Sequence, residues 1–150
     1  MPEHDLDAVV EFTNRVLGAS GLDLKANADQ TGDGLKVQVR GSDVALLLGH
    51  NAELLDALEY LGNRTLARHA GEEMRITFDS DSYRAQREKE LRLMAEKAAE
   101  KVRTSRASFS FSPMSANERR IIHLALADDA SVVTESQGTG ENRKVTVRPK

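Results

Sequence analysis

Ser115-Ala116-Asn117-Glu118-Arg119-Arg120-Ile121-Ile122-His123-Leu124-Ala125-Leu126 combines a helix start with two polar groups suited to binding an anion. Ser115 with Glu118 forms a capping box, in which hydroxyl and carboxylate satisfy backbone N–H groups that the first turn leaves unpaired. A helix to about Ala127 follows. Arg119 and His123 stand four apart, so both project from one face near a helix start whose open N–H groups favour anions. The guanidinium is a permanent forked donor for phosphate oxygens, and the imidazole adds a donor on a short stem. On pattern alone, this pair also fits a plain exposed helix surface, so the flanking sequence has to decide.

Working outward, Phe109 and Phe111 alternate with serines as a short strand that Pro113 ends. Residues 132–135 and 144–148 read as two further strands, joined by a polar, glycine-rich connector over 136–142. Upstream, Asp79-Ser80-Asp81 offers helix caps, and a charged segment runs from there to about Arg106. Leu91, Ala95, Ala98 and Val102 form its apolar stripe. Glu88 and Arg92 make an i,i+4 pair, while Arg103 and Arg106 complement the dipole at the C-terminal end.

The N-terminal half has its own pattern. Leu6, Val9, Val10, Thr13, Val16 and Leu17 recur at helical spacing before Gly18 and Gly21, predicting a helix over 5–18. Leu22, Leu24, Ala26 and Ala28 alternate with polar residues, as do Leu35, Val37 and Val39; Thr31-Gly32-Asp33-Gly34 between them makes a β-hairpin. A short apolar run over 44–48 precedes a break at Gly49-His50-Asn51. A helix bearing Leu54, Leu55, Leu58, Leu61 and Leu66 follows, then a strand with Met74, Ile76 and Phe78. The order is helix, strand, strand, helix, helix, strand. The chain is therefore expected to be α+β with a boundary near Asp79, giving domains 1–79 and 80–150.

Composition narrows the function. With 39% hydrophobic and 30% charged residues, 150 positions can fill two modest cores. The absence of cysteine excludes disulfides, thiolate zinc sites and cysteine nucleophiles. The acidic N-terminus and the short apolar runs argue against secretion or membrane insertion, leaving the cytoplasm as the expected location. The net charge of −3 hides an asymmetry: residues 1–79 carry 7 Lys+Arg against 14 Asp+Glu, and residues 80–150 carry 14 against 10. A surface for a polyanion therefore belongs to the second half.

The run from Ser112 through Leu126, followed by Thr134-Glu135-Ser136-Gln137-Gly138-Thr139-Gly140-Glu141-Asn142-Arg143-Lys144, closely resembles the R-three-H (Arg-x-x-x-His) domain of the bacterial Jag family, the SpoIIIJ-associated type. Tyr83-Arg84-Ala85-Gln86-Arg87-Glu88 resembles the start of that family's long helix. The segment Leu47-Leu48-Gly49-His50-Asn51-Ala52-Glu53-Leu54-Leu55-Asp56-Ala57-Leu58-Glu59-Tyr60-Leu61 resembles its KH core. The resemblance implies a type II KH-like fold followed by helices packed on a small β-sheet. It also implies single-stranded RNA as ligand, with single-stranded DNA as a second candidate, and a post-transcriptional role in cell division, envelope growth or sporulation. A KH-only protein or a second copy is the implied protein partner. Arg119 and His123 are then the signature residues, and Arg120, Arg143 and Lys144 join them by charge and proximity. The extra N-terminal domain that many members carry is expected to be lacking.

A KH domain clamps a nucleic-acid backbone with a Gly-x-x-Gly loop. Here the loop reads Gly49-His50-Asn51-Ala52, with Asp43, Glu53 and Asp56 nearby and no basic residue within it. This favours a scaffold kept for packing or pairing, as in an adaptor, with His50 and Asn51 left to touch RNA once the other half anchors it. Other chemistry finds little support. His4, His50, His69 and His123 lack metal-ligand spacing. Asp79 and Asp81 suit capping, Glu72 and Glu73 suit a solvated turn, and Gly138 with Gly140 makes no P-loop. Neither enzymatic activity nor a cofactor is expected. With aromatics at 4%, phosphate contacts rather than a stacking platform are expected to dominate.

Overall fold

The computed structural model describes residues 3–32, 34–66 and 74–150, so the turn residue Asp33 and the readings placed on His69, Glu72 and Glu73 lie outside the described residues. The chain divides into two units, Met1–Arg84 and Ala85–Lys150, and the mixed α+β architecture expected from sequence is present in both.

In the first unit, α1 (Glu3–Ala19) leads into β1 (Lys25–Thr31) and β2 (Gly34–Arg40); α2 (Val44–Thr65) and β3 (Arg75–Asp79) follow. β1 and β2 pair antiparallel from Lys25↔Arg40 to Thr31↔Gly34, and β3 runs parallel to β2, giving the order β1-β2-β3. Parallel neighbours need a long crossover, which α2 supplies. Alternation along the strands buries Ala26, Leu35, Val37, Val39, Ile76 and Phe78 on one face, where Val9 and Leu17 of α1 and Leu47, Leu55 and Leu58 of α2 cover them. Two glycines permit this closeness. A Cβ on Gly34 would stand 2.0 Å from the Arg75 carbonyl oxygen, and one on Gly62 would stand 2.9 Å from Phe78 Cε2.

Edge strands leave backbone groups without ladder partners, and helix side chains meet several of them here. On β1, Asn14 of α1 accepts the Ala26 N–H at 2.8 Å and donates to the Ala26 carbonyl at 3.3 Å. On β3, Asn63 of α2 holds Ile76 in the same way, at 2.9 Å and 2.6 Å. Glu59 accepts the Phe78 N–H at 2.9 Å, and Arg84 Nε donates to the Phe78 carbonyl at 2.6 Å. The Arg84 guanidinium also pairs with Asp56 at 2.9 Å and Glu59 at 3.0 Å. These bonds carry the first unit past Asp79 to Arg84.

The second unit takes its first element from α3 (Tyr83–Ser105), followed by β4 (Phe109–Ser110), α4 (Ala116–Ala125), β5 (Val132–Gln137) and β6 (Lys144–Pro149). The sheet is antiparallel with order β4-β6-β5. The stripe read from sequence is buried: Leu91, Ala95, Ala98 and Val102 pack with Ile122 of α4, with Leu126 just after it, and with Phe111, Val132, Val145 and Val147 on the sheet side. Phe109 and Phe111 meet edge to face, their centroids 5.1 Å apart.

Asn63→Ala should leave both backbone groups of the fully buried Ile76 without these partners. Denaturant unfolding should report a loss of about 2–4 kcal/mol, against roughly 0.5 kcal/mol or less for Ala at the exposed Asn27.

Candidate nucleic-acid interface

α4 begins as its sequence requires, with the Ser115 hydroxyl accepting the Glu118 N–H at 3.3 Å. The other half of the capping box does not form. Glu118 is only 7% exposed, and its carboxylate turns to Arg87 of α3, accepting from Nε at 2.8 Å. A charge-assisted bond to a guanidinium outcompetes a bond to a backbone N–H that a neutral group can also satisfy. The helix ends at Ala125, slightly before Ala127, because Leu126 leaves helical geometry at ψ 5°.

The signature side chains share a face and are both tethered. Arg119 Nη1 donates to the Met114 carbonyl at 2.8 Å, anchoring one tip of the guanidinium and leaving the fork's other donors for an anion. Both nitrogens of the half-buried His123 ring are engaged: Nδ1 lies 2.6 Å from the Thr134 hydroxyl and Nε2 lies 2.8 Å from the Ser136 hydroxyl. Burial holds the imidazole below its ordinary value of 6.5, and the Arg119 charge pushes it the same way. His123 is therefore a bridged ring rather than the outward-pointing donor its spacing suggested.

Thr134 and Ser136 escaped the sequence reading, which placed the second of them in the connector. β5 in fact runs to Gln137. With Val132 and Val133 adjacent the sequence does not mark the inward face; the structure buries Val132, and period-two alternation then puts residues 134 and 136 on the same side.

Of the added cations, Arg143 lies close to this group. The Met114 N–H donates to the Arg143 carbonyl at 3.2 Å, which sets the Arg143 backbone beside the residue that anchors Arg119. Arg143 Nη1 closes the connector by donating to the Gly138 carbonyl at 2.9 Å. Lys144 faces Gln137 in the ladder, one register step from Ser136↔Val145, so alternation puts its side chain on the opposite side of the sheet from Ser136. Arg120 is exposed, but helix rotation turns it away from Arg119. Nearby carboxylates are neutralised locally, Glu118 by Arg87 and Glu135 by Arg148 at 3.1 Å.

Residues 89–149 match the R-three-H domain family, and the Arg-x-x-x-His pair lies within them. That stretch is an R-three-H domain. Over nearly its full extent the chain is similar to proteins named RNA-binding protein KhpB. It is 33% identical to the one from Clostridium symbiosum over 143 residues, covering 94% of this chain and 64% of that protein. To the one from Bacillus subtilis it is 35% identical over 118 residues, covering 77% of this chain and 57% of that protein. The chain thus spans less than two thirds of these relatives' length. No helix among the described residues is long and apolar enough to cross a membrane. Outside the R-three-H domain, the break in α2 takes an uncommon form. His50, Asn51 and Ala52 all have positive φ, at 51°, 57° and 62°, after an extended Gly49. The interruption reaches one residue beyond the expected break, and the Ala52 methyl, 1% exposed, is packed into the first unit's core.

Two outcomes follow from the R-three-H domain's internal bonds. Arg87→Met leaves the Glu118 charge buried and unpaired, and should cost roughly 3–5 kcal/mol in denaturant unfolding; Glu118→Gln, which removes the charge, should cost about 1–2 kcal/mol. For His123, the unfolded chain regains the ordinary value of 6.5 and binds more protons than the folded chain at pH values between the lowered value and 6.5. Stability should rise with pH through that window, be complete above it, and fall as acid is added; His123→Gln should flatten the slope in a pH series of denaturant melts.

Proposed function

We propose that this chain binds single-stranded RNA through its R-three-H domain, holding the strand by phosphate contacts led by Arg119, with the bridged His123 on the same helix face and Arg143 beside them. The observation that carries this reading is a tethered cation and imidazole on one helix face, with the adjacent Glu118 carboxylate bonded to Arg87 through one of its oxygens. An anion arriving there meets a guanidinium held in place, so little ordering cost is left to offset the contact. The names of the relatives support the choice of RNA, and the resemblance carries the finer expectation of a cytoplasmic, post-transcriptional role without a chemical step.

The first unit fits a type II KH-like scaffold: a helix, a hairpin, a broken helix and a parallel strand. Its loop contributes no cation, so it is secondary in this reading. One observation favours a second role for it, pairing with another protein: Leu46, Tyr60 and Leu61 of α2 are 62%, 65% and 41% exposed.

Titration of short RNA at several salt concentrations tests the main reading. Arg119→Ala should bind more weakly, and the slope of log K against log salt should become shallower by about 0.7 for each phosphate the variant no longer holds. Unchanged affinity and slope in a folded Arg119→Ala protein would rule out this site, and equal competition by single-stranded DNA would remove the preference for RNA.

A further inference from the structure

We propose that Thr134 and Ser136 are positioning residues of the strand-binding site: by bridging the His123 ring they fix the face of α4 that presents Arg119 to an anion. The inference rests on the RNA-binding reading above and adds β5 to a site otherwise built from α4 and Arg143.

The geometry is specific to imidazole. Residues 134 and 136 lie two apart on one side of β5, about 7 Å along the strand, and their hydroxyls meet opposite nitrogens of one ring at 2.6 Å and 2.8 Å. A neutral imidazole has one N–H and one lone pair, and a hydroxyl can donate or accept, so the bridge is satisfied in either tautomer. In the imidazolium both nitrogens donate and both hydroxyls accept. Ring orientation is therefore held through a change of protonation, including one that an approaching phosphate would favour. Without the bridge, the ring turns about its last side-chain bond, a broad torsion that does not by itself select an orientation. Ile122 and the adjoining Leu126 keep α4 against the core when a hydroxyl is removed, but apolar packing tolerates a small rotation of the helix about its axis, so the effect falls on the direction in which Arg119 is presented.

The test uses a substitution pair in which binding and stability move in opposite directions. Thr134→Val keeps the shape and the β-propensity but removes the hydroxyl; Thr134→Ser keeps the hydroxyl and loses β-propensity. With the full chain and a short fluorescent single-stranded RNA of randomised sequence, Thr134→Val should weaken binding by roughly fivefold at an unchanged or higher unfolding midpoint. Thr134→Ser should bind as the parent does despite a lower midpoint, and Ser136→Ala should weaken binding as Thr134→Val does. Parent-like binding by both Thr134→Val and Ser136→Ala overturns the proposal, as does binding that follows stability across the three variants. Arg119→Ala, run in parallel, separates the failures. If it weakens binding while the hydroxyl variants do not, only the positioning role falls; if it too binds normally, the RNA-binding reading falls and takes this one with it.

Discussion

The two hydrogen bonds between His123 and the β5 hydroxyls decide what the R-three-H domain can offer a ligand. Apolar packing sets α4 against the sheet, but packing is non-directional and tolerates small rotations of a helix about its axis. A polar bridge from the helix face to the strand does not, because hydrogen bonds weaken steeply as they bend. Once the ring is fixed, the rotation of α4 is fixed with it, and Arg119 one turn earlier has its place. Its bond to the Met114 carbonyl then secures the loop that precedes the helix.

The electrostatics of the same region come from local pairing rather than from bulk charge. The whole chain is acidic, at −3, and a long-range field from so small a net charge is largely screened at physiological salt. What matters lies within a few ångströms. Glu118 is the residue next to Arg119 in sequence and would weaken it as an anion trap, but its bond to Arg87 inside the domain directs its charge elsewhere. Glu135 is occupied on the strand in a similar way.

Most of the architecture was legible from the order of side chains, because periodicity is a local property. The stripe from Leu91 to Val102 and the alternation through Leu35, Val37 and Val39 each name a buried face without reference to any other element. Interactions that join distant elements were not legible. Glu118 reads as a capping residue because its serine is three positions away, whereas its actual partner is thirty-one positions away on α3. Thr134 and Ser136 read as ordinary polar strand and loop positions until α4 is laid over them. Ala52 reads as a missing glycine; the chain adopts the left-handed conformation there regardless, at an expected cost of about 1–2 kcal/mol, with its methyl buried in the core.

The asparagine and glutamate side chains that meet the outer edge of β3 also bear on how the protein behaves when crowded. A strand from another copy seeking to extend that sheet would have to displace Asn63, Glu59 and Arg84 from Ile76 and Phe78 before forming its first ladder bond. That barrier is covalently attached and stereochemical, and it does not depend on mutual repulsion between molecules. Near pH 5.8, where the chain's charge vanishes and repulsion with it, this route to fibrous self-association remains closed.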